Sequence, residues 1–299
     1  MASLRDIRTR IKSVKNTAQI TGAMQLVAAS KMKRAQDIAQ KGRPYALLLA
    51  SMIGSIKHHL DEDGVACRHK LLRPREVTRR GILVISTDKG LCGGLNANLF
   101  RMVAEACPRA TPACYYVIGR KASQFVTRSG RTLKAEFSVS DQVHFHEVRP
   151  VIEHMVEQYL ADEIDTIEIA YPRFRNTLVQ TPVLFPMLPI QDLTETVNGV
   201  LAENKLTPMD LKDMRHMEFE PEPADLVGKL LKVYINFIIY QSTLQARASE
   251  HSARMVAMKG ATDNARKLVG NLTLAYNKAR QAKITQEIIE IAASVGSQQ

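Results

Sequence analysis

Between residues 224 and 299 the chain has no proline, and apolar or small residues recur at alternating steps of four and three. The series is Leu230, Tyr234, Phe237, Gln241, Leu244, Ala248, His251, Met255, Met258, Thr262, Ala265, Val269, Leu272, Tyr276 and Ala279, without a slip. This is the seam of a coiled coil. About 75 helical residues rising about 1.5 Å each make a rod on the order of 110 Å, so the rod needs partners. Gln241, His251, Thr262 and the alanines at 248, 265 and 279 stand where a maximally stable dimer would repeat leucine and isoleucine. After Ala279 the stripe changes phase to Ile284, Ile288, Ile291 and Val295, which predicts a tip with its own contacts.

The other end of the chain carries a second seam. Ser3 and Asp6 form a helix-start signal, and Leu4, Ile7, Ile11, Val14, Ala18, Thr21, Ala28, Met32, Ala35 and Ala39 keep one heptad phase. Ile20, Met24, Val27 and Ile38 form another stripe beside it, so two neighbours are expected for this helix. Gly42 and Pro44 should interrupt it before helical patterning resumes over 45–60. An antiparallel coiled coil of the two termini satisfies both seams; the alternative is pairing with another copy of the chain. The longer C-terminal helix should then run beyond its partner from about residue 279.

Between them, short apolar runs at 81–86, 113–118, 132–139 and 166–171 alternate with helical stretches at 97–106, 120–128 and 148–161. That alternation predicts an open α/β sheet. The run 178–188 reads as an edge strand, because Pro182 and Pro186 are tolerated mainly at edges. The expected class is α+β: a long antiparallel coiled coil of the N- and C-terminal helices with a central open, Rossmann-like α/β domain. The expected divisions are 1–60, 81–220 and 222–299, with 191–223 polar and irregular.

Composition narrows the function. The 299 residues are 45% hydrophobic, enough for a genuine core, and no apolar run approaches the roughly 18 residues of a membrane span. The N-terminal arginines lead straight into an amphipathic helix, with no signal-peptide pattern. Cys67, Cys92, Cys107 and Cys114 form no CxxC pair, which favours free thiols in a reducing compartment. The formal charge of +11 is uneven. Residues 1–43 carry ten Lys or Arg against two acids, whereas the middle of the chain is near neutral. A basic helix suits an acidic protein or a nucleic acid, but aromatic residues for base stacking are only 5%.

Three constellations invite chemistry. The turn Asp88 to Asn96 follows a strand and opens a helix, the setting for phosphate binding. Gly90, Gly93 and Gly94 nevertheless fit neither GxGxxG nor GxxxxGK[ST], and Lys89 precedes the glycines. His144 and His146 would share a strand face with Glu147 nearby, but no third metal ligand is evident. Met24, Met32, Met255 and Met258 read as filling for an irregular seam or as sliding contacts. No catalytic, cofactor or metal site is predicted.

Four ungapped stretches resemble the gamma subunits of F-type ATP synthases. They are ITGAMQLVAASKM at 20–32, STDKGLCGGLN at 86–96, ARMVAMKGATDN at 253–264 and YNKARQAKITQE at 276–287. The resemblance implies a non-catalytic rotor shaft, turned by proton flow, inside a ring of alpha and beta subunits, with catalysis on beta. It also implies that epsilon and the membrane c-ring meet the foot, that no nucleic acid is bound, and that the protein is peripheral on the cytoplasmic face of a bacterial inner membrane. Carried over by motif, Met24, Arg254, Arg280, Gln281, Thr285 and Glu287 are the expected rotor–stator contacts.

Overall fold

A computed structural model describes residues 3–63, 70–73, 75–190, 197–199, 201, 207 and 223–296. The chain divides into two compact units, residues 1–29 with 254–299, and residues 30–253. Helix α1 (Leu4–Lys41) begins with reciprocal bonds between Ser3 and Asp6, as the start signal predicts. It stops one residue before Gly42, and α2 (Arg43–Asp63) follows with Pro44 in its first turn. A Cβ at Gly42 would meet the amide end of the Gln241 side chain, which would have to shift, and would lie 3.3 Å from the Ala39 carbonyl oxygen.

The larger unit is layered on one sheet. Its strands are β1 (Arg80–Ile85), β2 (Ala113–Ile118), β3 (Thr132–Phe137), β4 (Thr166–Phe174) and β5 (Gln180–Leu188). Their spatial order is β3-β2-β1-β4-β5, all parallel except β5, which pairs antiparallel with β4 at the edge. The proline-bearing run is therefore the edge strand that the sequence predicts. Residues alternate between faces: Ile82, Val84, Tyr115 and Val117 pack under α3 (Leu95–Ala106) and α4 (Arg120–Arg128). Leu83, Ile85, Tyr116 and Ile118 face a larger core shared with α2, α5 (Phe145–Leu160) and α6 (Pro223–Gly296). Burial on both faces explains why these strands read as continuous apolar runs.

Two elements differ from the sequence pattern. His144 and His146 lie not on a strand but at the start of α5, where His144 is the N-cap, Glu147 closes a capping box, and the two exposed rings stack 5.5 Å apart. And α6 is more than a seam: Leu231, Ile235, Ile238 and Ile239 are buried as fully as the heptad positions beside them. Over 234–253 no residue of this helix is exposed, because the segment forms part of the sheet domain's core, whereas Lys229, Lys232 and Val233 before it are exposed. Most of the segment 191–212 and Cys67 lie outside the described residues, as do the side chains of Ile291 and Val295.

In the smaller unit, α1 and α6 form the expected coil. Thr21 Oγ1 lies 2.7 Å from Thr262 Oγ1, and the Gly22 backbone packs on the Thr262 methyl. From that contact the half-buried stripe runs seventeen residues toward the N-terminus, to Leu4, and seventeen toward the C-terminus, to Ala279. Equal reach in opposite directions is the mark of antiparallel pairing. Every residue from 280 to 289 is exposed.

Candidate functional site

The carboxyl end of a parallel sheet, where successive connections leave for opposite faces, is where α/β domains usually hold ligands. In this protein, β1 ends there and the chain turns through 86–94 into α3, with Leu91 and Gly93 at φ of +63° and +59°. Thr87 Oγ1 donates to the Lys89 carbonyl at 2.8 Å and accepts from Asn96 Nδ2 at 2.7 Å. Ser86 Oγ accepts the Ala122 amide at 2.8 Å, and Asp88 Oδ1 accepts the Arg120 amide at 3.1 Å. The amides at the start of α4, which could cradle an anion, are thus taken by the chain's own carboxylate and hydroxyl. Gly119, at φ +97°, allows the approach; a Cβ there would sit 2.5 Å from the Ser86 carbonyl oxygen. The glycine-rich turn ties β1 to α4.

The second oxygen of Asp88 faces α6. Arg247, with only 3% of its side chain exposed, has Nη2 at 3.5 Å from Asp88 Oδ2. The same nitrogen donates to the Val139 carbonyl at 2.6 Å, while Nη1 donates to Glu250 Oε2 at 2.9 Å. A guanidinium out of water is tolerable only when its fork is filled in this way. Ser249 Oγ donates to the Pro172 carbonyl at 2.8 Å and Ser252 Oγ to the Thr177 carbonyl at 2.7 Å. Gln180 Nε2 approaches Ser252 Oγ at 3.4 Å. Beyond these, Lys31 hydrogen-bonds and pairs with Asp141, which holds that carboxyl below the usual range against the opposing effect of partial burial. The charges of His251 and Arg247 act in the same direction.

These contacts involve residues the motif reading left aside. Asp88 stood inside a conspicuous turn, but Arg247, Glu250, Ser249 and Ser252 were hidden because charge and hydroxyl on a helix normally mean a solvated face. The available signal was a stretch with few large apolar residues, from 245 to 254, directly after the long apolar run.

The motif-derived contact residues fall elsewhere. Met24 and Arg254 are half-buried in the coil unit. Arg280, Gln281, Thr285 and Glu287 cluster on the exposed last part of α6, where Thr285 Oγ1 donates to the Gln281 carbonyl at 3.0 Å and Lys283 pairs with Glu287 at 3.6 Å. Of the second apolar stripe of α1, Ile20 and Val27 are 61% and 56% exposed, whereas Met24 and Ile38 are half-buried; Leu26, off that stripe, is 71% exposed. Beside Thr262 runs a groove of about 850 Å³ whose lining includes Lys15, Gly22, Leu26, Lys259, Asp263 and Arg266. Among the described residues no three His, Cys, Asp or Glu side chains gather to hold a metal ion, no helix is long and apolar enough to cross a membrane, and Cys92, Cys107 and Cys114 form no disulfide.

An α/β domain built around one stretch of a long helix, with side chains at the carboxyl end of its sheet bonded to that helix, is a fold organised to hold a helix. The comparisons specify which kind. A family model described as ATP synthase matches residues 3–297. The chain is 52% identical to the ATP synthase gamma chain of Opitutus terrae over 98% of both chains, and 44% identical to that of Akkermansia muciniphila over 99% of both. It belongs to the ATP synthase gamma-chain family, whose members are non-catalytic stalk subunits. Among solved structures it is similar to a chain in the structure of the central stalk and c-ring of Tetrahymena thermophila mitochondrial ATP synthase, at 25% identity and a TM-score of 0.58, over 81% of this chain and 99% of that one. A Euglena gracilis mitochondrial ATP synthase chain shares the fold at 19% identity and a TM-score of 0.67, over 98% of this chain and 94% of that one.

Proposed function

We propose that this chain is the central rotor shaft of a proton-translocating F-type ATP synthase. It couples proton-driven rotation to conformational change at catalytic sites on the beta subunits. The observation that carries the reading is α6 itself: one unbroken helix, enclosed by the core of the sheet domain at one end and fully exposed over 280–289 at the other. A helix held at one end and free at the other can deliver at the far end a turn applied to the near one. In this reading 1–60 and 222–299 supply the shaft and 81–220 the foot. The shaft stands in a ring of alpha and beta subunits, and epsilon and the membrane c-ring meet the foot.

A two-helix coil has no threefold symmetry. At any angle it offers a different face to each of three beta subunits: the exposed pair Ile20 and Val27, the groove of Lys15, Leu26, Lys259 and Arg266, or the seam edge. Tenfold differences in nucleotide affinity among the three sites need only about 1.4 kcal/mol each. Met24, Arg254, Arg280, Gln281, Thr285 and Glu287 are the proposed contacts with the ring. The exposure of the last four supports their assignment, and the basic surface suits acidic loops on the stator. Whole-length similarity to bacterial gamma chains supports a place on the cytoplasmic face of a bacterial inner membrane. Gel filtration of the chain with alpha and beta subunits tests the reading: co-elution as one complex with raised ATPase activity is expected. Separate elution with unchanged activity would refute it. Within the complex, an alanine substitution that leaves coupling intact removes that residue from the contact set.

A further inference from the structure

We propose that Arg247 is a positioning residue that fixes the rotational setting of α6 inside the sheet domain, an inference that rests on the rotor reading above. At about 100° per residue, Arg247 and Glu250 lie on one side of α6, and Ser249 and Ser252 lie on the opposite side. The first pair bonds the Val139 carbonyl and faces Asp88 at the carboxyl edge of the sheet. The second bonds the carbonyls of Pro172 and Thr177, which lead into and lie within the β4–β5 turn. The helix is therefore keyed on two opposed faces at one level.

Apolar packing alone would hold it less well against twist. The neighbouring buried positions Leu244, Ala246 and Ala248 are mostly small, and hydrophobic contact is non-directional. A guanidinium fork and hydroxyl–carbonyl bonds are directional, so turning the helix about its axis breaks them. A buried charge cluster is weak in net stability compared with a well-packed apolar substitute. Its contribution at this level is orientation. Torque entering at the sheet domain passes into α6 through these keys.

The test uses the chain assembled with alpha and beta subunits, the ring fixed to a surface and a gold rod attached to the sheet domain. Angular fluctuation of the rod is recorded while the ring is arrested with nucleotide. If the keys on one face carry half of the resistance to twist, R247M widens the angular variance about twofold. R247K, which keeps the charge and loses the fork, falls between R247M and wild type. A merely structural role would lower the thermal midpoint of the complex without widening the distribution. An R247M complex that assembles and fluctuates as wild type overturns the proposal. Should R247M fail to assemble, R247K and the S249A/S252A double variant are measured instead, and unchanged widths in both overturn it equally. A wild-type sheet domain that does not turn when ATP is hydrolysed would refute the rotor reading itself.

Discussion

Thr21 and Thr262 meet where the seam would ordinarily be aliphatic, and removing one hydroxyl should cost little. Thr262 is 3% exposed, and its Oγ1 lies 2.8 Å from the Met258 carbonyl as well as 2.7 Å from Thr21 Oγ1. Thr21 Oγ1 in turn lies 3.0 Å from the Thr17 carbonyl and 3.2 Å from that of Ala18. Each hydroxyl has one proton, so one donates across the seam and the other to its own helix. In Thr262→Val, Thr21 turns its proton to Thr17 or Ala18 and no buried donor is stranded. The loss is one net hydrogen bond, about 0.5–1.5 kcal/mol, partly offset by about 0.8 kcal/mol for the added buried methyl. A net cost of no more than about 1 kcal/mol is expected for Thr262→Val and similarly for Thr21→Val. By the same count the double variant loses two hydrogen bonds and gains two methyls, so the single effects should add to within about 0.5 kcal/mol. Amide hydrogen exchange along α6 near residue 262 measures this locally, each kcal/mol changing protection about fivefold. Exchange accelerated more than about a hundredfold in Thr262→Val, or a double variant that departs from the sum of the singles by more than about 1 kcal/mol, would show the donor assignment to be wrong.

Three further outcomes are expected. Glu250→Leu takes the carboxylate from a guanidinium that is itself almost wholly buried, and should lower stability by about 3–5 kcal/mol, whereas combining it with Arg247→Met should recover most of the loss in urea titrations followed by circular dichroism. Gly119→Ala places a methyl against the Ser86 carbonyl at a positive φ and should cost about 1–3 kcal/mol or more, visible as a lowered thermal midpoint. The Asp141 carboxyl is depressed in the folded state, so its contribution is present above its unfolded value of about 3.9 and fades as pH falls through the folded one. Because both members of the Lys31–Asp141 pair are nearly half exposed, Asp141→Asn should cost under about 1 kcal/mol at pH 7, and the gap from wild type should close in acid.

What could be foreseen divides along physical lines. Period is local information, so the heptads of α1 and α6, the break at Gly42 and Pro44, the parallel strands and the proline-marked edge strand were visible in the order of residues alone. The end of the coil at Ala279 also followed, from the length of the shorter helix. What periodicity cannot convey is a helix that changes its surroundings along its length. Over 230–252, α6 meets a sheet, α2 and α5 in addition to α1, so positions outside the heptad become buried, and Arg247 and Glu250 look like solvated charge until Asp88 and Val139 are brought up from distant strands. The His144–His146 pair was misplaced for a similar reason: its capping role depends on Glu147 folding back to the His144 amide. Of the six residues carried over by motif, Arg280, Gln281, Thr285 and Glu287 lie on a surface that a lone chain leaves bare, where its own fold applies no constraint.

That bareness has a thermodynamic consequence at the far end of α6. Ten successive residues, 280–289, are helical and exposed, and isolated helices shorter than about 12–15 residues are marginal in water. The Lys283–Glu287 pair and the Thr285 hydroxyl bond contribute only tenths of a kcal/mol each at such exposed positions. In the free chain the final turns should therefore exchange their amide protons quickly and melt well below the rest of α6. Once surrounded they have to stay wound, and the ordering entropy, on the order of 1–2 kcal/mol for each residue fixed, is charged to assembly instead of to folding. Insertion of this shaft is in part a folding reaction completed inside another protein, and its affinity should weaken on warming faster than rigid docking would.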